Sequence, residues 1–116
     1  MHVGIIGVGL MGHGIALNIL KAGFSLILLD HPGNQPDSTL TGMGAERRPS
    51  SAAIAAEADL IILCVTGAPQ VEAVLTGENG VISALKEGTI IVDCSTSLPE
   101  TTEKMASLVT AAGGHF

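Results

Sequence analysis

A short apolar run at the start of the chain ends in glycine and is followed at once by residues with helical spacing. Residues 2–7 predict a buried strand, and the apolar residues within 10–21 recur as on one face of a helix. A second apolar run covers residues 24–29 and stops at Asp30. Strand, helix and strand within about thirty residues is the size of one βαβ unit, in which the two strands are parallel.

The rest of the chain continues this alternation. Further strands are predicted at residues 45–48, 60–65 and 89–93, with the first step of another at 115–116. Helices are predicted at residues 51–58, 69–75 and 99–112, with shorter helical stretches at 38–43 and 81–85. Alternating strands and helices favour a parallel sheet with right-handed crossovers. We therefore expect one α/β domain over residues 1–116, a doubly wound parallel sheet in three layers.

The composition fits this fold and excludes several classes of function. The chain is 47% hydrophobic, mostly aliphatic, and its only aromatic residues are Phe24 and Phe116. Aliphatic residues fill buried parallel sheets, whereas surfaces that stack nucleic-acid bases need aromatic side chains. The net charge of −6 also disfavours a partner with a phosphate backbone. We expect no nucleic-acid partner.

The apolar amino terminus is predicted to be neither a signal peptide nor a membrane segment. No Lys or Arg precedes it, glycines interrupt it, and no stretch reaches the ~18–20 apolar residues that a membrane span needs. The cysteines, Cys64 and Cys94, each end an apolar run and are expected to be buried thiols in a reducing compartment. We expect a cytoplasmic protein that does not associate with membranes.

The turn between the first strand and the first helix carries a G-x-G-x-x-G pattern. Its position at the end of a strand and the start of a helix is typical of a Rossmann dinucleotide-binding fold. Gly7 would allow the tight turn, Gly9 would let a pyrophosphate approach the backbone, and Gly12 would let the helix pack close to the sheet. Free N–H groups at the helix start would face the phosphates. The alternative is a glycine-rich turn that binds no ligand. The candidate cofactor contacts in this turn are Gly7, Val8, Gly9, Leu10, Met11 and Gly12.

Asp30 ends the second predicted strand and is the second candidate contact. A carboxylate at this place can accept hydrogen bonds from the adenosine ribose and repels a 2′-phosphate. We therefore expect NAD rather than NADP, and the alternative is an ordinary turn aspartate before His31. Arg47 and Arg48 are the nearest cations that could favour NADP, and they are predicted to lie on a solvated edge.

Three segments together resemble a known family. The first is Gly7–Gly12 followed by Lys21-Ala22-Gly23, the second is residues 58–65 followed by 71–74, and the third is Asp93-Cys94-Ser95-Thr96-Ser97-Leu98-Pro99. In this order they resemble the 3-hydroxyisobutyrate dehydrogenase or β-hydroxyacid dehydrogenase family, which includes tartronate semialdehyde reductases and, more distantly, 6-phosphogluconate dehydrogenase.

The resemblance implies a hydride transfer between a nicotinamide and a small 3-hydroxy acid or its semialdehyde. It places the pyrophosphate at the glycine turn and the adenosine ribose at Asp30 and His31. Val65, Thr66 and Gly67 would border the cofactor. Thr96 would contact the nicotinamide side, and Ser95 with Thr96 would lie at the edge of the substrate pocket. The alternative for Ser95 and Thr96 is a cap for the helix that begins near Pro99.

The sequence departs from the family in two ways. Members that use NADP usually carry Asn-Arg where this chain has Asp30-His31. Family members also continue past the equivalent of Phe116 into an interdomain helix with the catalytic lysine and an all-helical domain. We expect no catalytic residue and no metal site in this chain, and little activity from it alone. Lys86 and Lys104 are predicted on helices outside the ligand-binding edge.

Other functions remain open from the sequence. A related imine reductase or a 6-phosphogluconate dehydrogenase-like enzyme would share this domain. A stand-alone module that senses NAD or binds a partner is a different class of function. A flavin or S-adenosylmethionine site fits the glycine turn but not residues 93–99. Because residues 115–116 begin a strand and leave a sheet edge open, we expect a homo-oligomer.

Overall fold

The computed structural model describes residues 1–30, 37–95 and 99–116. Over these residues the strands are β1 (His2–Ile6), β2 (Ser25–Leu29), β3 (Glu46–Arg48), β4 (Leu60–Leu63) and β5 (Ile90–Asp93). The helices are α1 (Leu10–Lys21), α2 (Ser38–Gly42), α3 (Ser51–Glu57), α4 (Ala68–Thr76) and α5 (Pro99–Ala111). A short 3₁₀ helix covers Val81–Ala84.

The strands form one parallel sheet in the order β3-β2-β1-β4-β5. The strand β1 lies in the centre, where Val3 pairs with Leu26 on one side and with Leu60 on the other. The chain winds outward from β1 in both directions, so the order reverses between β1 and β4. In open parallel sheets a ligand crevice lies at the carboxyl ends of the strands on either side of such a reversal.

Each face of the sheet has its own hydrophobic core. On one face α1 and α2 cover a cluster that includes Ile5, Leu28 and Leu40. On the other face α3, α4 and α5 cover a cluster that includes Ile61 and Met105. Two helical layers around a parallel sheet confirm the predicted three-layer Rossmann-type fold.

Three details differ from the sequence-based expectations. The strand β4 ends at Leu63, two residues earlier than predicted, because the chain turns toward Gly67 at the start of α4. Lys86 lies after the 3₁₀ helix rather than on a helix. His115 adds a single parallel bridge to Ile90, so the predicted additional strand is present as one bridging residue.

The start of α3 shows how a local sequence signal sets an element boundary. Ser50 is the N-cap residue, and its hydroxyl accepts a hydrogen bond from the N–H of Ala53 at 3.1 Å. We expect Ser50→Ala to lower the free energy of unfolding by about 1 kcal/mol. Urea denaturation would measure this, with Ser107→Ala on the exposed face of α5 as a control. Equal stability of the two variants would contradict a capping role.

Each helix in residues 1–30, 37–95 and 99–116 is too short or too polar to span a lipid bilayer.

Candidate functional site

Gly7 and Gly12 are required by the fold of the turn between β1 and α1. Gly7 has φ +95°, a conformation that residues with a side chain rarely adopt, and a Cβ there would collide with the carbonyl oxygen of Cys64. A Cβ at Gly12 would collide with the carbonyl oxygen of Gly7. The helix α1 can therefore approach β1 and β4 this closely only because both positions lack side chains.

Gly9 is different, because nothing in the described structure constrains it. A Cβ there would meet no atom within 4 Å among the described residues, and its φ of −77° and ψ of −161° suit any residue. Gly9 is the N-cap residue of α1 and has no side chain to accept a hydrogen bond from the first turn. The first N–H groups of a helix lack partners within the helix and attract anions. The space over Gly9 is therefore suited to a phosphate group.

The two residues that follow Gly9 have long apolar side chains, and neither lines the cleft described below. Leu10 is 85% exposed and Met11 is 56% exposed, although both belong to the first turn of α1. Val8, between the glycines, is fully buried in the core under α1.

An apolar cleft of about 350 Å³ opens beside the turn, between the ends of β1, β2 and β4. Its lining includes the predicted residues Gly7, Val8, Gly9, Val65 and Thr66. The sequence analysis did not assign the remaining lining residues, which are Ile6, Leu29, Cys64, Gln70, Ala73 and Val74. Of these, Gln70, Ala73 and Val74 lie on α4. Because Val71 and Leu75 face the core, the helix period places the adjacent face of α4 toward the strand ends, so these lining residues could have been predicted from the sequence.

Asp30 lies at the same edge, directly after β2, and its side chain is exposed. Its backbone N–H donates to the carbonyl oxygen of Arg48 at 2.9 Å, which fixes this residue against β3. The carboxylate is therefore held near the cleft by its backbone while its side chain stays accessible. His31 lies outside the described residues.

The two arginines beside Asp30 are paired with carboxylates. Arg47 Nε and Nη2 donate to Asp37 at 2.8 and 2.6 Å, and this hydrogen bonding lowers the pKa of Asp37. Arg48 donates to Glu57 at 2.5 Å and to Glu46 at 2.9 Å. The predicted solvated edge is thus an edge strand on which both guanidinium groups already have acidic partners.

The ends of β4 and β5 are joined by Ser95. Its hydroxyl oxygen accepts the N–H of Val65 at 2.8 Å and lies 3.4 Å from the carbonyl oxygen of Leu63. The backbone N–H of Ser95 donates to Asp93 Oδ1 at 2.8 Å. Ser95 therefore holds the position of the segment that leads to Thr66 and Gly67. Thr96 lies outside the described residues.

The expectation of two buried thiols is wrong for Cys94. Cys64 is half-buried, whereas Cys94 is exposed. The reason is that α1 packs on β1 and β2 and leaves the corresponding face of β5 open, where Ile90 and Val92 are exposed as well.

Neither Lys86 nor Lys104 is among the residues that line the cleft. Lys86 Nζ is 3.0 Å from Asp59 Oδ1, just before β4 and therefore at the opposite edge of the sheet. Lys104 on α5 lies 3.9 Å from Glu72 on α4. Residues 1–30, 37–95 and 99–116 contain no cluster of three or more His, Cys, Asp or Glu side chains that could hold a metal ion.

The chain matches a known domain along nearly its whole length. The family model described as the NAD binding domain of 6-phosphogluconate dehydrogenase matches residues 2–116. Among curated proteins, 2-(hydroxymethyl)glutarate dehydrogenase of Eubacterium barkeri is 36% identical over 113 residues, which are 97% of this chain and 37% of that protein. The chain therefore spans little more than a third of this relative's length.

Solved structures agree with the family match. The 3-hydroxyisobutyrate dehydrogenase of Salmonella typhimurium is 33% identical with a TM-score of 0.87, and the match covers 98% of this chain and 39% of that one. Psf3, solved in complex with NADP+ and 2-OPP, is 28% identical with a TM-score of 0.84 over 97% of this chain and 40% of that one. The resemblance to 3-hydroxyisobutyrate dehydrogenases is confirmed, while these relatives do not favour NAD over NADP.

Proposed function

The chain belongs to the family of NAD-binding domains described for 6-phosphogluconate dehydrogenase, and from this premise we propose that it is the cofactor-binding part of a hydroxyacid oxidoreductase. In this proposal a hydride passes between a nicotinamide dinucleotide and a small 3-hydroxy acid or its semialdehyde. The relatives are more than twice as long as this chain. The acid–base group that such a reaction needs is not proposed among these residues.

The observation that carries the proposal is the open space at Gly9. The fold itself explains why Gly7 and Gly12 lack side chains, because a Cβ at either would strike backbone. It does not explain Gly9, which has room for a side chain and an unstrained backbone. Gly9 differs from the equally open Gly14 because it is the N-cap residue of α1 and lines the cleft. A pyrophosphate that approaches the backbone at this point supplies the missing reason.

The neighbouring residues fit the rest of a dinucleotide. In our proposal the first turn of α1 binds the pyrophosphate through its N–H groups. The apolar cleft between Leu29 and Val74 has the lining that a flat purine ring needs, and Asp30 lies at the same edge for the adenosine ribose. Bound nicotinamide dinucleotide would supply the hydride chemistry.

We further propose that the chain prefers NAD to NADP. Asp30 is exposed and repels a 2′-phosphate, and the nearest guanidinium groups are occupied. Arg47 donates two hydrogen bonds to Asp37, and Arg48 is paired with Glu57 and Glu46. A 2′-phosphate would have to displace a carboxylate from one of these arginines before it gained a cation partner.

Calorimetric titration with NAD and NADP tests this proposal. We expect wild-type protein to bind NAD more tightly than NADP. Asp30→Ala should lose about 1.5–3 kcal/mol of NAD binding, roughly 10- to 150-fold in Kd, and should bind NADP no more weakly than before. The matched control is Glu87→Ala, which removes an exposed carboxylate in the loop before β5, at the opposite edge of the sheet.

Two results would contradict parts of the proposal. Unchanged NAD affinity in Asp30→Ala would remove this residue from the ribose site. Tighter binding of NADP than NAD by the wild type would overturn the preference but leave the dinucleotide site itself in place.

A further inference from the structure

Cys64 and Cys94 are neighbours on adjacent strands at the site's edge of the sheet. Leu63 pairs with Asp93 in the parallel register of β4 and β5, and the N–H of Cys94 donates to the carbonyl oxygen of Leu63 at 2.8 Å. Cys64 and Cys94 directly follow this pair, so they lie opposite each other where the chain leaves the two strands. Neighbouring strands lie about 4.8 Å apart, which falls within the Cα separation of about 4.4–6.8 Å found in disulfides.

The side chains of both cysteines point to the same face of the sheet. Cys64 packs with the cluster under α1, and Ile91 packs with the cluster on the other face. Because side chains alternate along a strand, Asp93 shares the face of Ile91 and Cys94 points to the face of Cys64. The pKa of Cys64 is raised to about 11, first by burial and then by the charge and hydrogen bond of the Cys94 thiol.

The two thiols differ in accessibility. Cys94 is exposed, on the part of β5 that α1 leaves uncovered. Cys64 is half-buried at the base of the glycine turn, where a Cβ on Gly12 would lie 3.4 Å from its own Cβ. An oxidant dissolved in water therefore meets Cys94 first, and Cys64 lies beside it as the second thiol.

We propose that Cys64 and Cys94 form a dithiol that hydrogen peroxide oxidises to an intramolecular disulfide. In the first step the sulfur of Cys94 attacks the peroxide, the O–O bond breaks, and Cys94 becomes a sulfenic acid as one water leaves. In the second step the sulfur of Cys64 attacks that of Cys94, the S–O bond breaks, and a second water leaves with the proton of Cys64. Two thiols are oxidised and one hydrogen peroxide is reduced to two waters.

The disulfide would couple to the site, and this part rests on the proposed function. Cys64 lines the cleft, and its carbonyl oxygen lies against the space that a side chain on Gly7 would need. Bound dinucleotide is expected to shield the pair and slow its oxidation. The disulfide is expected to constrain the cleft and weaken dinucleotide binding, and binding would then favour the dithiol over the disulfide at equilibrium by the same factor.

The test is oxidation with hydrogen peroxide followed by mass spectrometry of the intact protein. We expect the mass of the wild type to fall by two hydrogen atoms and both thiols to stop reacting with alkylating reagents. Dithiothreitol should restore both the mass and the thiol reactivity. Cys64→Ser should instead accumulate a sulfenic acid at Cys94 that dimedone traps. Cys94→Ser should leave Cys64 largely unreacted. A covalent dimer, or a wild type in which Cys94 is oxidised while Cys64 stays free, would overturn the proposal.

The coupling is tested by repeating the oxidation with NAD present, after calorimetry has shown whether NAD binds. If NAD binds and the rate of disulfide formation is unchanged, the coupling is wrong and the dithiol stands. If NAD does not bind, the proposed function fails, and disulfide formation in the absence of NAD still decides the dithiol. Circular dichroism of both serine variants checks that neither result comes from unfolding.

Discussion

Gly12→Ala is expected to destabilise the fold by about 1–3 kcal/mol and to abolish measurable dinucleotide binding. A Cβ at this position would collide with the carbonyl oxygen of Gly7, and it would also stand 3.4 Å from the Cβ of Cys64. Backbone cannot move aside as the end of a flexible side chain can. The start of α1 must therefore shift away from β1 and β4, and the N–H groups proposed to bind the pyrophosphate shift with it.

The matched control for this prediction lies two residues further along the same helix. Gly14 is exposed, and a Cβ there would meet no atom within 4 Å among the described residues. Gly14→Ala is expected to stabilise the protein by about 0.5–1 kcal/mol, because alanine has the higher helix propensity. Urea denaturation of the two variants measures the difference. Similar stabilities would show that the contact between Gly12 and Gly7 is not a constraint.

Gly9→Val is expected to lower the free energy of unfolding by no more than about 1 kcal/mol, because glycine is a better N-cap residue than valine, and to weaken dinucleotide binding at least 100-fold, or about 2.7 kcal/mol. The backbone at Gly9 is extended and the space around it is open. A valine side chain would occupy the volume that the proposed pyrophosphate needs. The effect therefore falls on binding rather than on folding.

Gly14→Val is the control for this second prediction, because it adds the same side chain to the solvent-exposed face of α1. Calorimetry should find its NAD affinity unchanged, and thermal unfolding should report any loss of stability in either variant. Wild-type affinity in Gly9→Val would mean that the pyrophosphate does not lie over Gly9. Substantial destabilisation of Gly9→Val would mean that the fold itself requires this glycine.

Much of the fold could be predicted because its strands and helices differ in how apolar residues are spaced along the sequence. The buried strands β1, β2 and β4 are continuous apolar runs, and the glycine turn marks the change from strand to helix. Residue spacing within one segment is a local property, so it can be read without knowledge of the tertiary structure. The positions of Gly7, Gly9 and Asp30 at one edge followed from the same pattern, since the carboxyl ends of parallel strands lie together.

Other parts of the site depend on packing between distant segments. Cys94 ends an apolar run and was expected to be buried, but burial depends on whether a helix covers that face of β5, and α1 does not reach it. The pairing of Arg47 with Asp37 joins residues of different elements. None of these contacts leaves a periodic signal in the sequence.

The central place of β1 has a consequence for synthesis of the chain. β1 precedes β2 in the chain and can pair with it early, once α1 has formed between them. Its other side pairs with β4, so that edge stays open until Leu63 has been made. An unpaired strand edge is where nascent chains associate with one another. The interval between translation of β2 and of β4 is therefore when this protein has the greatest need of a chaperone.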